Sequence, residues 1–123
     1  MENLFYQAAK KACITALEKH GKDPLLIHLD TFSSIADYIV IISSRSSVHG
    51  RGLADAITDA LMEFPIRRRG IEQDPGGLWI LLDYYGLVIH IFDEDERRYY
   101  NLERLWKDAK VEVFKEENLV TSF

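Results

Sequence analysis

The sequence predicts an α/β fold: a single domain built on a mixed sheet of about five strands flanked by helices. Three observations carry that prediction. Apolar residues recurring at helical three- and four-residue steps alternate along the chain with short apolar runs of strand length. The run Tyr38–Ile42 is apolar at every position, as in a strand covered on both faces. Two alternating segments, Leu78–Asp83 and Leu87–Phe92, flank a Tyr84-Tyr85-Gly86 turn and read as an antiparallel hairpin.

Taken in order, Phe5, Ala8, Ala9, Ala12, Cys13, Ala16 and Leu17 form one stripe of a first helix, which Gly21 and Pro24 stop. The opening Glu2–Gln7 resembles a tag-protease site with two aromatics exchanged, but Phe5 falls into register with that stripe and belongs to the fold. Leu25 to Asp30 alternates and reads as a strand, followed by the strand Tyr38–Ile42. Ser46 or Ser47 can cap a second helix with the stripe Leu53, Ile57, Ala60, Leu61 and Phe64, ended by Pro65, with Gly50 and Gly52 weakening its first turns. Ile66–Ile71 and the hairpin supply three more strands. Asp93 to Glu96 then place carboxylates at the start of a final helix, where they complement its dipole, with Tyr99, Leu102 and Trp106 as its apolar stripe. The order is helix-strand-strand-helix-strand-strand-strand-helix.

A chain of 123 residues, 47% hydrophobic, has room for one core, so the domain is expected to span 1–113 with a tail, 114–123, that frays. The formal net charge of −5 disfavours nucleic acid as the principal target and favours a basic protein surface. Cys13 is the single cysteine, which excludes an intramolecular disulfide, and its place on the apolar stripe of the first helix makes it core filler. No apolar run is long enough to span a bilayer and no signal-peptide pattern opens the chain, so the expected location is cytoplasmic.

Alternation along the hairpin sorts its side chains into two faces. Leu78, Ile80, Leu82, Leu87, Ile89 and Ile91 share a purely apolar face, which is core. The other face carries Trp79, Leu81, Asp83, Val88, His90 and Phe92, a mixture of aromatic bulk and polar groups that suits an interface centre. It suits equally a face covered by a helix, with Asp83 and His90 paired beneath it. Asp83, His90 and the serines between Ser43 and Ser47 could be imagined as a triad, but there is no nucleophile-elbow motif. His28 and His49 read as surface or satisfied histidines. Arg67, Arg68 and Arg69 read first as guards of a sheet edge and second as a phosphate contact. The acidic run 93–96 both starts a helix and offers carboxylates to a basic partner.

Several spaced segments are more specific: Asp30; Ser34-Ile35-Ala36-Asp37-Tyr38; Ser46-Ser47 with His49; Trp79 to Tyr84; Val88 to Phe92; Arg97 to Tyr100; and Leu102 to Trp106. In this order they resemble the Iojap family, the ribosomal silencing factors, from about Phe5 to Asp108. The resemblance implies a non-enzymatic factor that binds ribosomal protein L-fourteen on the large subunit and blocks joining of the small subunit, repressing translation. It also implies a nucleotidyltransferase-like fold without catalytic carboxylates, and suggests a homodimer. No metal or cofactor is expected, and any RNA contact is expected to be peripheral. The alternative is a nucleotide-using enzyme of that fold, which rests on fold analogy alone. The mixed aromatic and acidic face, taken with that resemblance, places the partner contact on Trp79, Leu81, Asp83, His90, Tyr100, Glu103 and Trp106. The chain departs from the family pattern at Ser44, where a Gly is usual, at Gln73 after Glu72, where a Gly is usual, and at Leu87, where an acidic residue is usual.

Overall fold

The computed structural model describes residues 3–29 and 36–115. Helix α1 (Leu4–Glu18) starts at Asn3, whose side chain accepts from the Phe5 and Tyr6 amides at 2.8 and 3.3 Å, satisfying two of the helix's orphan donors. Its predicted stripe is buried from Ala8 to Leu17, and four alanines let the helix lie close against its neighbours. Strands β1 (Lys22–His28) and β2 (Tyr38–Ser44) pair antiparallel, with a bulge between Lys22 and Leu25. Within the first predicted strand, Leu29 lies beyond the ladder, and Asp30, with Ser34 and Ile35 of the next motif, lies outside the described residues.

Helix α2 (Ser47–Leu61) is capped by Ser46, whose hydroxyl accepts from the His49 amide at 3.1 Å. It ends at Leu61, four residues before Pro65, and buries Gly50, Leu53, Ala54, Ile57 and Leu61. Gly50 is needed for close approach rather than tolerated as a weak spot: a Cβ there would sit 3.3 Å from the Ser44 hydroxyl. Ser44, the residue in place of the usual Gly, is thus buried against another glycine.

Strands β3 (Gly70–Gln73), β4 (Trp79–Asp83) and β5 (Leu87–Asp93) complete an antiparallel meander, and β5 pairs in parallel with β2. The third strand begins at Gly70 and not Ile66. Its ladder runs from Gly70 opposite Asp83, the last residue of β4, so residues before it have no strand to pair with beyond the Arg69 amide, which donates to the Asp83 carbonyl at 2.6 Å. The hairpin turn puts its left-handed φ of 72° on Tyr85, and Gly86 serves a different purpose. Its carbonyl accepts from Asp37 and Tyr38, each at 3.0 Å, which joins the hairpin to the start of β2.

The final helix differs from the prediction. Helix α3 (Glu94–Tyr100) stops at Asn101, which takes a left-handed conformation (φ 47°), and the chain continues as a 3-10 helix, Leu102–Trp106. The break separates Tyr99, which is 81% exposed, from Leu102 and Trp106, which pack on the sheet. A sixth strand, β6 (Val111–Val113), pairs antiparallel with β1, giving a six-stranded mixed sheet in the order β3-β4-β5-β2-β1-β6.

Sheet alternation divides the interior into two clusters. One holds Leu26, Val40, Ile42, Ile80, Leu82, Leu87, Ile89 and Ile91 against both α1 and α2. Each such side chain contributes roughly 1.5–3 kcal/mol on burial. The second lies on the opposite face, with Ile27, Leu29, Ala36, Ile39, Ile41, Val88 and Phe92 under the half-buried Leu102, Trp106 and Ala109. Leu87, a departure from the family pattern, is fully buried in the helix-side cluster, as Cys13 is.

A side chain at Gly86 would bring a Cβ within 2.5 Å of the Phe5 ring. Gly86→Ala is therefore expected to cost about 1–3 kcal/mol in denaturant melts through overpacking, and Phe5→Leu in the same chain should recover part of that loss.

Candidate functional site

Because successive strand residues point to opposite faces, Trp79, Leu81 and Asp83 of β4 stand on the face away from α1 and α2, opposite Phe92, His90 and Val88 of β5. There the rings of Trp79, His90 and Phe92 lie nearly parallel, with interplanar angles of 18°, 14° and 4° and centroids 5.4–6.0 Å apart. Tyr100 leans on this stack, 6.1 Å from Trp79 and 6.2 Å from Phe92. Trp79 is half-buried: its indole N–H donates to His90 Nδ1 at 3.1 Å, and its amide donates to Asp74 Oδ1 at 2.9 Å.

An indole can only donate, so His90 Nδ1 must be an acceptor and the ring neutral. Burial acts the same way and pushes the His90 pKa down to about 4 from 6.5. Asp83 does not pair with His90 as the covered-face arrangement would have it. It accepts from Arg69 Nη2 at 2.6 Å and Nε at 2.9 Å, and Arg69 stacks over Tyr85. The arginine run therefore divides: Arg69 braces Asp83, Arg68 donates to Thr58 at 3.2 Å, and Arg67 is exposed.

A concavity of about 460 Å³ opens on this face. Leu29, Ala36, Ile39, Leu81, Val88 and Trp106 form its apolar wall, and Arg69, Glu72, Asp83 and His90 its polar side. A shallower one of about 540 Å³ continues it along the edge of the sheet past Ile71–Asp74, and shares Glu72 and Leu81. The face is neither bare nor covered by a long helix. The 3-10 helix lies over one half and leaves Trp79 and Leu81 half-open over the other.

Five of the seven predicted residues thus gather around the two concavities, namely Trp79, Leu81, Asp83, His90 and Trp106, and Tyr100 flanks them. Glu103 stands apart, 3.4 Å from Arg97 and bordering a different hollow with Lys22, Ser43 and Arg98. Sequence reasoning missed the part played by Arg97. It is buried, and donates to the Asp23 carbonyl at 2.8 Å and the Ser43 hydroxyl at 2.9 Å, tying α3 to the ends of β1 and β2. Arginine in an Arg-Arg-Tyr-Tyr segment gave no signal of which guanidinium would turn inward.

Of the serines weighed as nucleophiles, Ser43 accepts from Arg97 and Ser46 caps α2, while His49 is satisfied between the Arg45 amide and the Lys19 carbonyl. His28 is satisfied by Glu112 at 2.7 Å. Among the described residues no cluster of three His, Cys, Asp or Glu could hold a metal ion, and no helix is long and apolar enough to cross a membrane.

Residues 3–122 match the family model described as ribosomal silencing factor during starvation. The chain belongs to the ribosomal silencing factor family. It is 35% identical over 100 residues to the ribosomal silencing factor RsfS of Bacillus subtilis, covering 81% of this chain and 85% of that one. It is 35% identical over 78 residues to an Iojap-related mitochondrial protein of Arabidopsis thaliana, covering 58% of this chain and 41% of that one. A crystal structure of a Chromobacterium violaceum protein superposes with a TM-score of 0.79 at 25% identity, covering 87% of this chain and 88% of that one. A Bacillus halodurans structure gives 0.68, also at 25% identity, covering 89% and 95%. The fold is thus shared with both solved structures.

The depressed His90 pKa has a consequence for stability. Between pH 6.5 and about 4 the unfolded chain binds a proton at His90 that the folded chain refuses, so its contribution is complete above pH 6.5 and is lost as pH falls toward 4. The loss amounts to up to about 3 kcal/mol. His90→Gln, which keeps an acceptor for the indole, should show a correspondingly shallower fall in stability over that range in urea melts at stepped pH.

Proposed function

We propose that the chain represses translation by docking the Trp79 face on ribosomal protein L-fourteen of the large subunit and occupying space that the joining small subunit needs. The observation that carries this reading is the pair of concavities around Trp79, Leu81 and Trp106, apolar at the centre and bordered by Glu72 and Asp83, in a member of the silencing-factor family. An apolar centre with a polar rim is the anatomy of a protein interface, and half-open tryptophans are the residues that most often carry its energy. The chain's excess of carboxylates complements a basic ribosomal protein. Asp83 would enter the contact already braced by Arg69, so it orients more than it attracts, and Glu72 is the freer of the two carboxylates at the edge.

Inhibition by occupancy needs a rigid body and no bond-making step, which accords with a face built on paired strands. Ser43, Ser46, His49 and His90 are bonded to structural partners, which supports the reading of a non-enzymatic factor.

The test is co-sedimentation. The chain should pellet with isolated large subunits and not with small ones, and equal pelleting with both would overturn the assignment. Trp79→Ala should weaken large-subunit binding by about 2 kcal/mol or more, the scale of an interface hot spot. Because Trp79 is half-buried and hydrogen-bonded, the same change should also cost stability, on the order of 2 kcal/mol, so melts must confirm folding first. Glu72→Gln should fold normally and flatten the salt dependence of binding.

A further inference from the structure

The segment from the 3-10 helix to β6 crosses the outer face of the sheet with little to hold its middle. Leu102, Trp106 and Ala109 are only half-buried against the second cluster. Strand β6 pairs with β1 at three positions alone, and its two outward side chains, Val111 and Val113, are 40% and 52% exposed. With so small an apolar burial on this face, the segment is held by the short β1–β6 ladder, by the His28 amide on the Lys110 carbonyl at 2.9 Å and the Phe114 amide on the Pro24 carbonyl at 3.1 Å, and by a side-chain tie at each end.

One tie is Glu103 on Arg97, at 3.4 Å. The other lies through the sheet. Glu112 sits opposite Leu26 and so points to the helix side, away from the docking concavity. Its Oε2 accepts from the Tyr6 hydroxyl and from His28 Nε2, both at 2.7 Å. The rings of Tyr6, His28 and Tyr38 pack together at 5.3–5.5 Å. Burial works to raise the Glu112 carboxyl, but the two hydrogen bonds and the charges of His28 and Lys110 outweigh it and leave it lowered, as expected of a carboxylate held by its partners.

We propose that this segment is a hinged strap forming one wall of the docking concavity, and that Glu112, clasped by Tyr6 and His28, is its latch. These residues touch nothing on the docking face. They are positioning residues that act through Trp106, which belongs both to the strap and to the concavity. Release of the latch frees β6 from the edge of β1, lets Trp106 leave the sheet and opens the wall against which a partner docks. The functional part of this inference rests on the docking reading above, and the structural part does not.

Tyr6→Phe and Glu112→Gln test both parts. Each removes a hydrogen bond or a charge while keeping the side-chain shape. In hydrogen exchange, the amides from Trp106 to Val113 should exchange roughly three- to tenfold faster in each variant, the range that the net strength of one hydrogen bond spans, with β4 and β5 unchanged. In a Trp79→Phe background, where Trp106 is the sole tryptophan, its fluorescence should become more accessible to a quencher on adding Glu112→Gln. Unaltered exchange in that stretch, or equal acceleration throughout the sheet, would refute the latch.

The functional arm is a double-mutant cycle on large-subunit binding. Glu112→Gln should weaken binding in the otherwise native chain and add little once Trp106→Leu has removed the wall. Full additivity of the two losses would refute action through Trp106. If Trp79→Ala leaves co-sedimentation intact, it is the docking reading that falls, and the exchange data alone then decide the strap.

Discussion

The parallel pairing of β2 with β5 at the centre of the sheet obliges the chain to cross over between them, and α2 makes that crossing on the face already occupied by α1. Two fifteen-residue helices therefore share one side of the sheet. The other side receives a seven-residue α3 and a five-residue 3-10 helix. Central strands are apolar on both faces, so the second face also has to be shielded, and the described residues over it do so only in part. The half-open aromatic surface follows from this imbalance.

Three charged or titratable groups drawn wholly or partly inside each have a specific means of bearing their burial. Arg97 finds two carbonyl or hydroxyl acceptors and a carboxylate, Asp83 is gripped twice by Arg69, and His90 gives up its proton and accepts from Trp79 instead. These solutions leave different surfaces. A paired Asp83 presents a muted charge and a neutral His90 presents a flat ring, so the centre of the face is apolar and stacked, and the free carboxylate is at the β3 edge. An interface of this make-up selects a partner by shape at its centre and by charge at its rim. On the docking reading, that is how an acidic protein would find a basic site on a ribosomal particle whose surface is otherwise mostly phosphate and would repel it.

Periodicity in the amino-acid sequence was enough to reveal α1, α2, the β4–β5 hairpin and the division of that hairpin into a core face and a mixed face, because side-chain direction in a helix or strand is a local property with a known period. The spaced motifs were enough to reveal the family. The helical stripe was enough to foresee Cys13 in the core. What was not legible depended on distant partners. Strand β6 is three residues long and becomes a strand only because β1 has a free edge to accept it. The stripe Tyr99, Leu102 and Trp106 fitted a helical period, yet Asn101 breaks it by adopting a left-handed backbone. Asp83 and His90 stand on one face, as alternation required, but Arg69 and Trp79 took the bonds they might have made to each other, and neither competitor is marked by spacing. The same holds for Glu112, an ordinary acidic residue near the end of the described chain, which meets Tyr6 only after the sheet has closed. Local sequence determined which elements form and which way their side chains point; only the tertiary structure decided which polar groups pair, because pairing between residues up to 106 positions apart is set by strand order and not by any period along the chain.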